Sequence, residues 1–155
     1  MSKTWLVKII VPIVTIGFLI NLIWEIAQMP FYRDFDPLRD HFWLCFFASL
    51  GDVFIILVLY AIVAHLRKSL FWIGKIKWVD ILFVVMLATF TAIAIEKWAL
   101  STGQWQYALA MPKFFGTNVG LFPILQMMLL PILTFYISGR FIRALNQEGE
   151  ININK

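Results

Sequence analysis

The sequence predicts an all-α, polytopic membrane protein in which four transmembrane helices form an antiparallel bundle. Of its 155 residues, 61% are hydrophobic and 14% are charged, and the mean hydropathy is +0.83. Soluble domains carry about 25% charged and about 45–50% apolar residues. Four apolar stretches are each long enough to cross about 30 Å of hydrocarbon, which takes about 20 helical residues. We therefore expect an integral protein of a membrane, specifically the bacterial cytoplasmic (inner) membrane.

The first predicted span covers 5–28. Lys3 and Lys8 accompany the start of its apolar run, as in a signal peptide, but the run is too long and no small-x-small cleavage site follows it. We expect this span to be retained. Pro30 ends the helix, because proline lacks a backbone N–H and disfavours helix in the residue before it.

Three further spans are predicted at 41–66, 78–100 and 118–141, joined by short loops. Residues 1–145 then form a single transmembrane domain, and 146–155 form a polar cytoplasmic tail. Nine of the 13 Lys and Arg residues lie at the chain ends or between the second and third spans, and four lie on the opposite side. Positive residues beside spans stay in the cytoplasm and contact anionic membrane lipid. The sequence therefore predicts both termini in the cytoplasm, with sequential helices as antiparallel neighbours.

Asn21, Glu25 and Gln28 form a polar stripe at the far end of the first span. Their spacing of i, i+4 and i+7 puts them on one face of a helix. An ionisable group in such a segment is costly in hydrocarbon and should face protein or water. The stripe therefore predicts polar partners on the other spans.

Asp52, Glu96 and Gln126 are the candidate partners. Asp52 falls near the centre of the second span, Glu96 about one turn from the outer end of the third, and Gln126 in the fourth. Placed by depth at about 1.5 Å per residue, the polar groups outline a funnel that opens outward and closes near Asp52. A charge at a helix centre costs about 2.5–3.5 kcal/mol, so the acids must be neutral, hydrated or paired with cations.

Ten residues are candidates for a functional site. Burial tunes carboxyl groups for general acid–base work, which gives three candidate catalytic residues: Glu25, Asp52 and Glu96. Seven side chains are candidate substrate-binding residues, either as amides or as an aromatic wall that stabilises cations: Asn21, Trp24, Gln28, Trp98, Trp105, Tyr107 and Gln126. A structural interpretation stands beside this one, with the amides as interhelical hydrogen-bonding groups and two of the acids exposed to lipid headgroups.

The segment 96–126 carries a recognisable arrangement. A span-end glutamate precedes Gly-x-Trp-x-Tyr, and a later Gly and Pro open the fourth span: Glu96, Gly103, Trp105, Tyr107, Gly120 and Pro123. This arrangement resembles a motif of small polytopic carotenoid-synthesis proteins, the membrane lycopene cyclases and their relatives. The resemblance implies a shared helical architecture and an isoprenoid substrate. In those proteins an acidic pair follows the proline, whereas this chain continues Ile124-Leu125-Gln126, so proton-initiated cyclisation would need Glu25 or Asp52 in a different geometry.

The sequence indicates no metal, cofactor or nucleic-acid site. His41 and His65 are far apart, the single Cys45 excludes an intrachain disulfide, and the basic residues cluster beside spans. The leading interpretation is an outward-opening acidic and aromatic pocket that binds a lipid or isoprenoid or performs acid–base chemistry on it. One alternative is a small proton- or cation-coupled transporter or channel subunit, which would need a homo-oligomer. Another is a non-catalytic partner protein of a larger membrane complex.

Overall fold

Four long helices make up most of the chain: α1 (Lys3–Gln28), α2 (His41–Leu66), α3 (Trp78–Thr102) and α4 (Leu121–Ile153). The computed structural model describes the backbone of residues 3–33 and 41–153 and the side chains of 6–33 and 42–144. Within these residues there is no β-strand, and extended pairing is limited to two isolated antiparallel bridges, Tyr32–Tyr107 and Lys113–Gly120. The prediction of an all-helical chain is confirmed.

Four helical stretches are long and apolar enough to cross a membrane: Leu6–Phe31, Phe42–Leu66, Trp78–Thr102 and Leu121–Ala144. The first extends beyond α1 through a 3-10 turn, Met29–Phe31. The first three lie close to the predicted spans. The fourth helix begins at Leu121 rather than at 118, because the bridge between Lys113 and Gly120 holds the preceding residues in a turn. Its backbone remains helical to Ile153, through most of the predicted polar tail. The N-cap expected at Asp40 lies outside the described residues.

Each of the four helices packs against two of the others, in the order α2, α1, α4, α3 and back to α2. Helix α1 packs against α2 and α4, α3 packs against α4, and α2 and α3 contact each other less than these pairs do. The best-buried apolar side chains come from all four helices: Ile13, Ile56, Val84, Ile124 and Phe135. Large apolar side chains also cover the outside, with Phe90 72% exposed. Such a surface suits lipid and not water.

The connector between α2 and α3 folds back onto the bundle through a short 3-10 turn, Trp72–Lys75. Trp72 and Ile73 are buried, and the Trp72 ring lies 5.1 Å from the Phe135 ring on α4. The Tyr60 hydroxyl donates to the Leu70 carbonyl at 2.7 Å, and the Trp72 Nε1 donates to the Tyr60 carbonyl at 3.3 Å. Aromatic packing and these hydrogen bonds close this end of the bundle, which we call the connector end.

Candidate functional site

Gln126 is the centre of a buried polar network that joins three helices. Its side chain is 3% exposed and lies in the second turn of α4. Its Nε2 lies 3.1 Å from Asn21 Oδ1, 2.9 Å from Glu25 Oε1 and 2.8 Å from Asp52 Oδ2. An amide nitrogen carries two hydrogens, so three acceptors share two donors. At any moment, one of the three acceptors therefore receives no full hydrogen bond from this amide.

The stripe on α1 fixes the orientation of that amide. Gln28 Nε2 donates to Gln126 Oε1 at 3.0 Å, which leaves the Gln126 nitrogen facing the acids. Trp24 Nε1 in turn donates to Gln28 Oε1 at 3.2 Å, and Asn21 Nδ2 donates to the Gly17 carbonyl at 2.8 Å. The predicted stripe therefore faces the interior of the bundle, where Asn21 is fully buried.

Glu25 and Asp52 form a carboxyl pair beneath this amide. Glu25 Oε1 and Asp52 Oδ2 both accept from Gln126 Nε2, at 2.9 Å and 2.8 Å. Among the described side chains the recorded ion pair is Arg67–Asp80, at the connector end, and no lysine or arginine pairs with Glu25 or Asp52. Glu25 and Asp52 are therefore two carboxyl groups that share one donor and have no cation at ion-pair distance among the described side chains.

Glu96 on α3 anchors a second cluster in the loop between α3 and α4. Trp105 Nε1 donates to Glu96 Oε2 at 3.1 Å, and the Tyr107 hydroxyl donates to the same oxygen. Gly103, in the left-handed conformation at the end of α3, turns the chain so that these aromatics return to the helix. The Lys113 Nζ lies 4.0 Å from the centre of the Tyr107 ring. The arrangement is a buried carboxyl group held by two donors beside an aromatic wall.

A short backbone link brings the two clusters together. Arg33 N donates to the Gln106 carbonyl at 2.8 Å, and Ala108 N donates to the Phe31 carbonyl at 2.9 Å, so the end of α1 pairs with the loop. This pairing places the Tyr32 ring 5.5 Å from the Tyr107 ring. Tyr32 therefore lies between the α1 stripe and the Glu96 cluster.

Burial controls the ionisation of both tyrosines. It raises the pKa of the Tyr32 phenol, and the negative charges of Glu96 and Glu25 raise it further. It also raises the pKa of Tyr107, with a further rise from the hydrogen bond to Glu96. Both phenols therefore remain neutral at physiological pH.

The sequence-predicted residues fall into two clusters and one outlier. The first cluster holds six of them: Asn21, Trp24, Glu25, Gln28, Asp52 and Gln126. The second holds three: Glu96, Trp105 and Tyr107. Trp98 lies apart, with its side chain 59% exposed on the outside of α3.

Sequence reasoning did not select Tyr32 as a candidate. The feature that could have pointed to Tyr32 is its position just after Pro30 and Phe31, where the polar stripe ends. Its contact with Tyr107, however, depends on the backbone pairing with the loop. In the described part of the chain, no group of three His, Cys, Asp or Glu side chains is arranged to hold a metal ion.

No protein-family model matches this chain, and no curated protein or solved structure matches it either. The class that the fold defines is an integral membrane protein with four candidate spans. The resemblance to membrane lycopene cyclases stays a prediction.

Proposed function

We propose that this membrane protein binds a lipid or isoprenoid-like molecule beside its buried polar network and performs acid–base chemistry on it, as an isomerase or cyclase. The observation that carries the proposal is the contact of Glu25 and Asp52 with one amide, Gln126, without a cation at ion-pair distance among the described side chains. Such a pair holds a proton in an apolar surrounding, where carboxyl groups are tuned for general acid–base catalysis.

The chemistry balances without a cofactor. The protonated carboxyl of the Glu25–Asp52 pair transfers its proton to a carbon–carbon double bond, which leaves a carbocation on the substrate and a carboxylate on the protein. Loss of a proton from a neighbouring carbon to that carboxylate forms a new double bond and restores the pair. The product is an isomer or, if the cation first attacks a second double bond, a ring.

The Glu96 cluster supports the same role as a second acid and an aromatic wall. Its carboxyl group accepts hydrogen bonds from Trp105 and Tyr107, and Tyr32 lies beside it. The faces of aromatic rings attract cations within about 6 Å, which favours a carbocation over its neutral precursor. Trp24 adds an indole at the α1 side of the network.

Access from the membrane is the next requirement. The connector end is closed by Trp72, Tyr60 and Phe135, which supports entry from the opposite end of the bundle. Helices α2 and α3 pack against each other less closely than the α1–α2, α1–α4 and α3–α4 pairs, so their interface is the side on which an apolar molecule could reach Asp52 and Glu96 from the lipid.

The proposed orientation puts the connector end and both termini in the cytoplasm, with antiparallel sequential helices, in a bacterial cytoplasmic membrane. It is supported by the basic residues at that end: Arg67, Lys68, Lys75, Lys77, Arg140 and Arg143. In this orientation the polar network opens away from the cytoplasm.

Transport is the second candidate function, because a carboxyl pair inside a membrane is also typical of proton pathways. The contact of both Glu25 and Asp52 with one amide inside the bundle is the observation that favours it. The apolar side chains that fill the connector end count against it. A transporter of this size would need a homo-oligomer. A purely structural role in a larger membrane complex would need a partner protein and no substrate.

The experiment is a deuterium-incorporation assay combined with ligand identification. The protein is purified in mild detergent and incubated with total membrane lipid in heavy water, and the extracted lipids and isoprenoids are compared by mass spectrometry. Glu25→Gln and Asp52→Asn remove the acids. Lys97→Gln, at an exposed position beside Glu96, is the matched control.

We expect one apolar compound to be enriched and to gain deuterium with the wild type and with Lys97→Gln. Both acid variants should abolish the deuterium gain. If the compound were enriched but gained no deuterium even with the wild type, the acid–base chemistry would be ruled out and only ligand binding would stand. No enrichment, together with pH-dependent flux in liposomes that Asp52→Asn abolishes, would replace it with transport.

A further inference from the structure

A long apolar groove lies on the surface of the bundle at the connector end, away from the acid network. It has a volume of about 750 Å³ and runs between α3, α4 and the Trp72–Lys75 turn. Its walls are mainly aliphatic: Ile76, Ile81, Val85, Met128, Ile132 and Leu133. From Met128 to Arg143 the groove follows α4 for about 22 Å at 1.5 Å per residue.

Two cations line the groove, Lys75 from the connector turn and Arg143 from α4. Neither forms an ion pair with a carboxylate of the described residues, where the recorded ion pair is Arg67–Asp80. Tyr136, which also lines the groove, accepts a hydrogen bond from Arg140 Nη1 at 3.3 Å. The groove therefore combines apolar walls with two cations that have no carboxylate partner among the described side chains.

The fold builds this groove through a close backbone contact. A Cβ atom on Gly139 would lie 2.1 Å from the Ile73 carbonyl oxygen, so only glycine lets the connector pack this closely on α4. The connector turn that carries Lys75 is thus held against the helix that carries Arg143. The backbone segments that carry the two cations are therefore packed against each other.

We propose that this groove binds one anionic glycerophospholipid, with an acyl chain along the aliphatic walls and the phosphate between Lys75 and Arg143. One leaflet contributes about half of the 30 Å hydrocarbon core, so about 22 Å accommodates a chain and the glycerol–phosphate region. Basic pockets between spans on the cytoplasmic side attract anionic headgroups. Charge complementarity selects an anionic lipid over a zwitterionic one.

The test is native mass spectrometry of the full chain released from detergent with added phosphatidylglycerol or phosphatidylcholine. Lys75→Gln combined with Arg143→Gln should weaken phosphatidylglycerol binding about 30-fold. Each cation near an anionic lipid contributes about fivefold to the affinity, and the variant removes two. Lys75→Arg with Arg143→Lys preserves the charges and should bind like the wild type. Lys68→Gln, in the same connector but outside the groove, should also bind normally.

Ile132→Trp provides an independent test, because it fills the groove without changing charge. It should weaken binding of phosphatidylglycerol to the same site. Equal loss in Lys68→Gln, or normal binding in Ile132→Trp, would show attraction to a charged surface and not a built site, and would overturn the proposal. If the double charge variant fails to fold, the Ile132→Trp result decides alone.

Discussion

Gln126 on α4 donates its side-chain amide to Asp52 on α2 at 2.8 Å, across 74 residues of sequence. The same nitrogen reaches Glu25 on α1, so a single amide joins three helices. Glu25 and Asp52 share a donor, whereas Glu96 is held by its own two aromatic donors.

Gln126→Leu should destabilise the fold by about 1–3 kcal/mol, because buried acceptors on α1 and α2 lose a donor and Gln28 loses its acceptor. The free energy of unfolding can be measured in mixed detergent micelles. Gln106→Leu is the matched control, since that side chain makes an exposed hydrogen bond with Arg33. Equal losses in the two variants would mean that the network adds nothing to stability.

Gly139→Ala should destabilise the protein by about 1–3 kcal/mol through overpacking, because the new methyl group would collide with the Ile73 carbonyl oxygen. Gly51→Ala, on α2 with no atom within 4 Å of the added Cβ, should stabilise by about 0.5–1 kcal/mol. Thermal unfolding of both variants in the same detergent gives the comparison. If Gly139→Ala stabilised the protein, the close packing of the connector on α4 at Gly139 would be contradicted.

From the raised pKa values of two tyrosines we expect the protein to lose stability at alkaline pH. The pKa values of Tyr32 and Tyr107 are raised in the folded chain. Their contribution is complete below the unfolded value of about 10 and falls as the pH rises above it, because only the unfolded state ionises there. Tyr107→Phe should therefore reduce the decline in unfolding free energy between about pH 8 and pH 11.

Ultraviolet absorbance of phenolate provides the direct check on this tyrosine prediction. The tyrosines of the denatured protein should be about half ionised near pH 10, and the folded protein should show less phenolate absorbance at the same pH. Tyr107→Phe should remove amplitude from the denatured titration but little from the folded one near that pH. A folded Tyr107 that ionises near pH 10 would contradict the prediction.

The ion pair at the connector end should be energetically coupled to the start of α3. Arg67 Nη1 lies 2.9 Å and 2.6 Å from the two Asp80 carboxylate oxygens, and Lys77 N donates to Asp80 Oδ2 at 2.8 Å. Asp80→Asn should cost about 1–3 kcal/mol of unfolding free energy. A double-mutant cycle with Arg67→Gln should be non-additive, since the residues are in contact. Additive losses would show that Asp80 acts mainly through the helix start.

The number and approximate limits of the helices could be predicted from the sequence, and the prediction of an all-helical chain with four candidate spans is confirmed. Hydrocarbon requires about 20 apolar residues for each crossing, so length and composition are enough. The polar stripe of Asn21, Glu25 and Gln28 was also readable, because helix geometry puts such spacings on one face.

The contacts between elements were not readable in this way. Trp98 and Trp105 are both tryptophans close to Glu96 in sequence, yet Trp98 is exposed and Trp105 donates to the Glu96 carboxylate. The loop that returns Trp105 to α3, and the link that brings Tyr32 to Tyr107, depend on turns and backbone pairing between distant segments.

Composition alone determined that this chain belongs in a membrane, since hydrocarbon selects for long apolar helices. Only the tertiary structure decided which side chains meet inside it. Helices of this kind are apolar on nearly every face, so hydrophobic periodicity does not show which face packs inward. The rotation of each helix is settled instead by close packing, such as Gly139 against Ile73, and by hydrogen bonds such as those of Gln126.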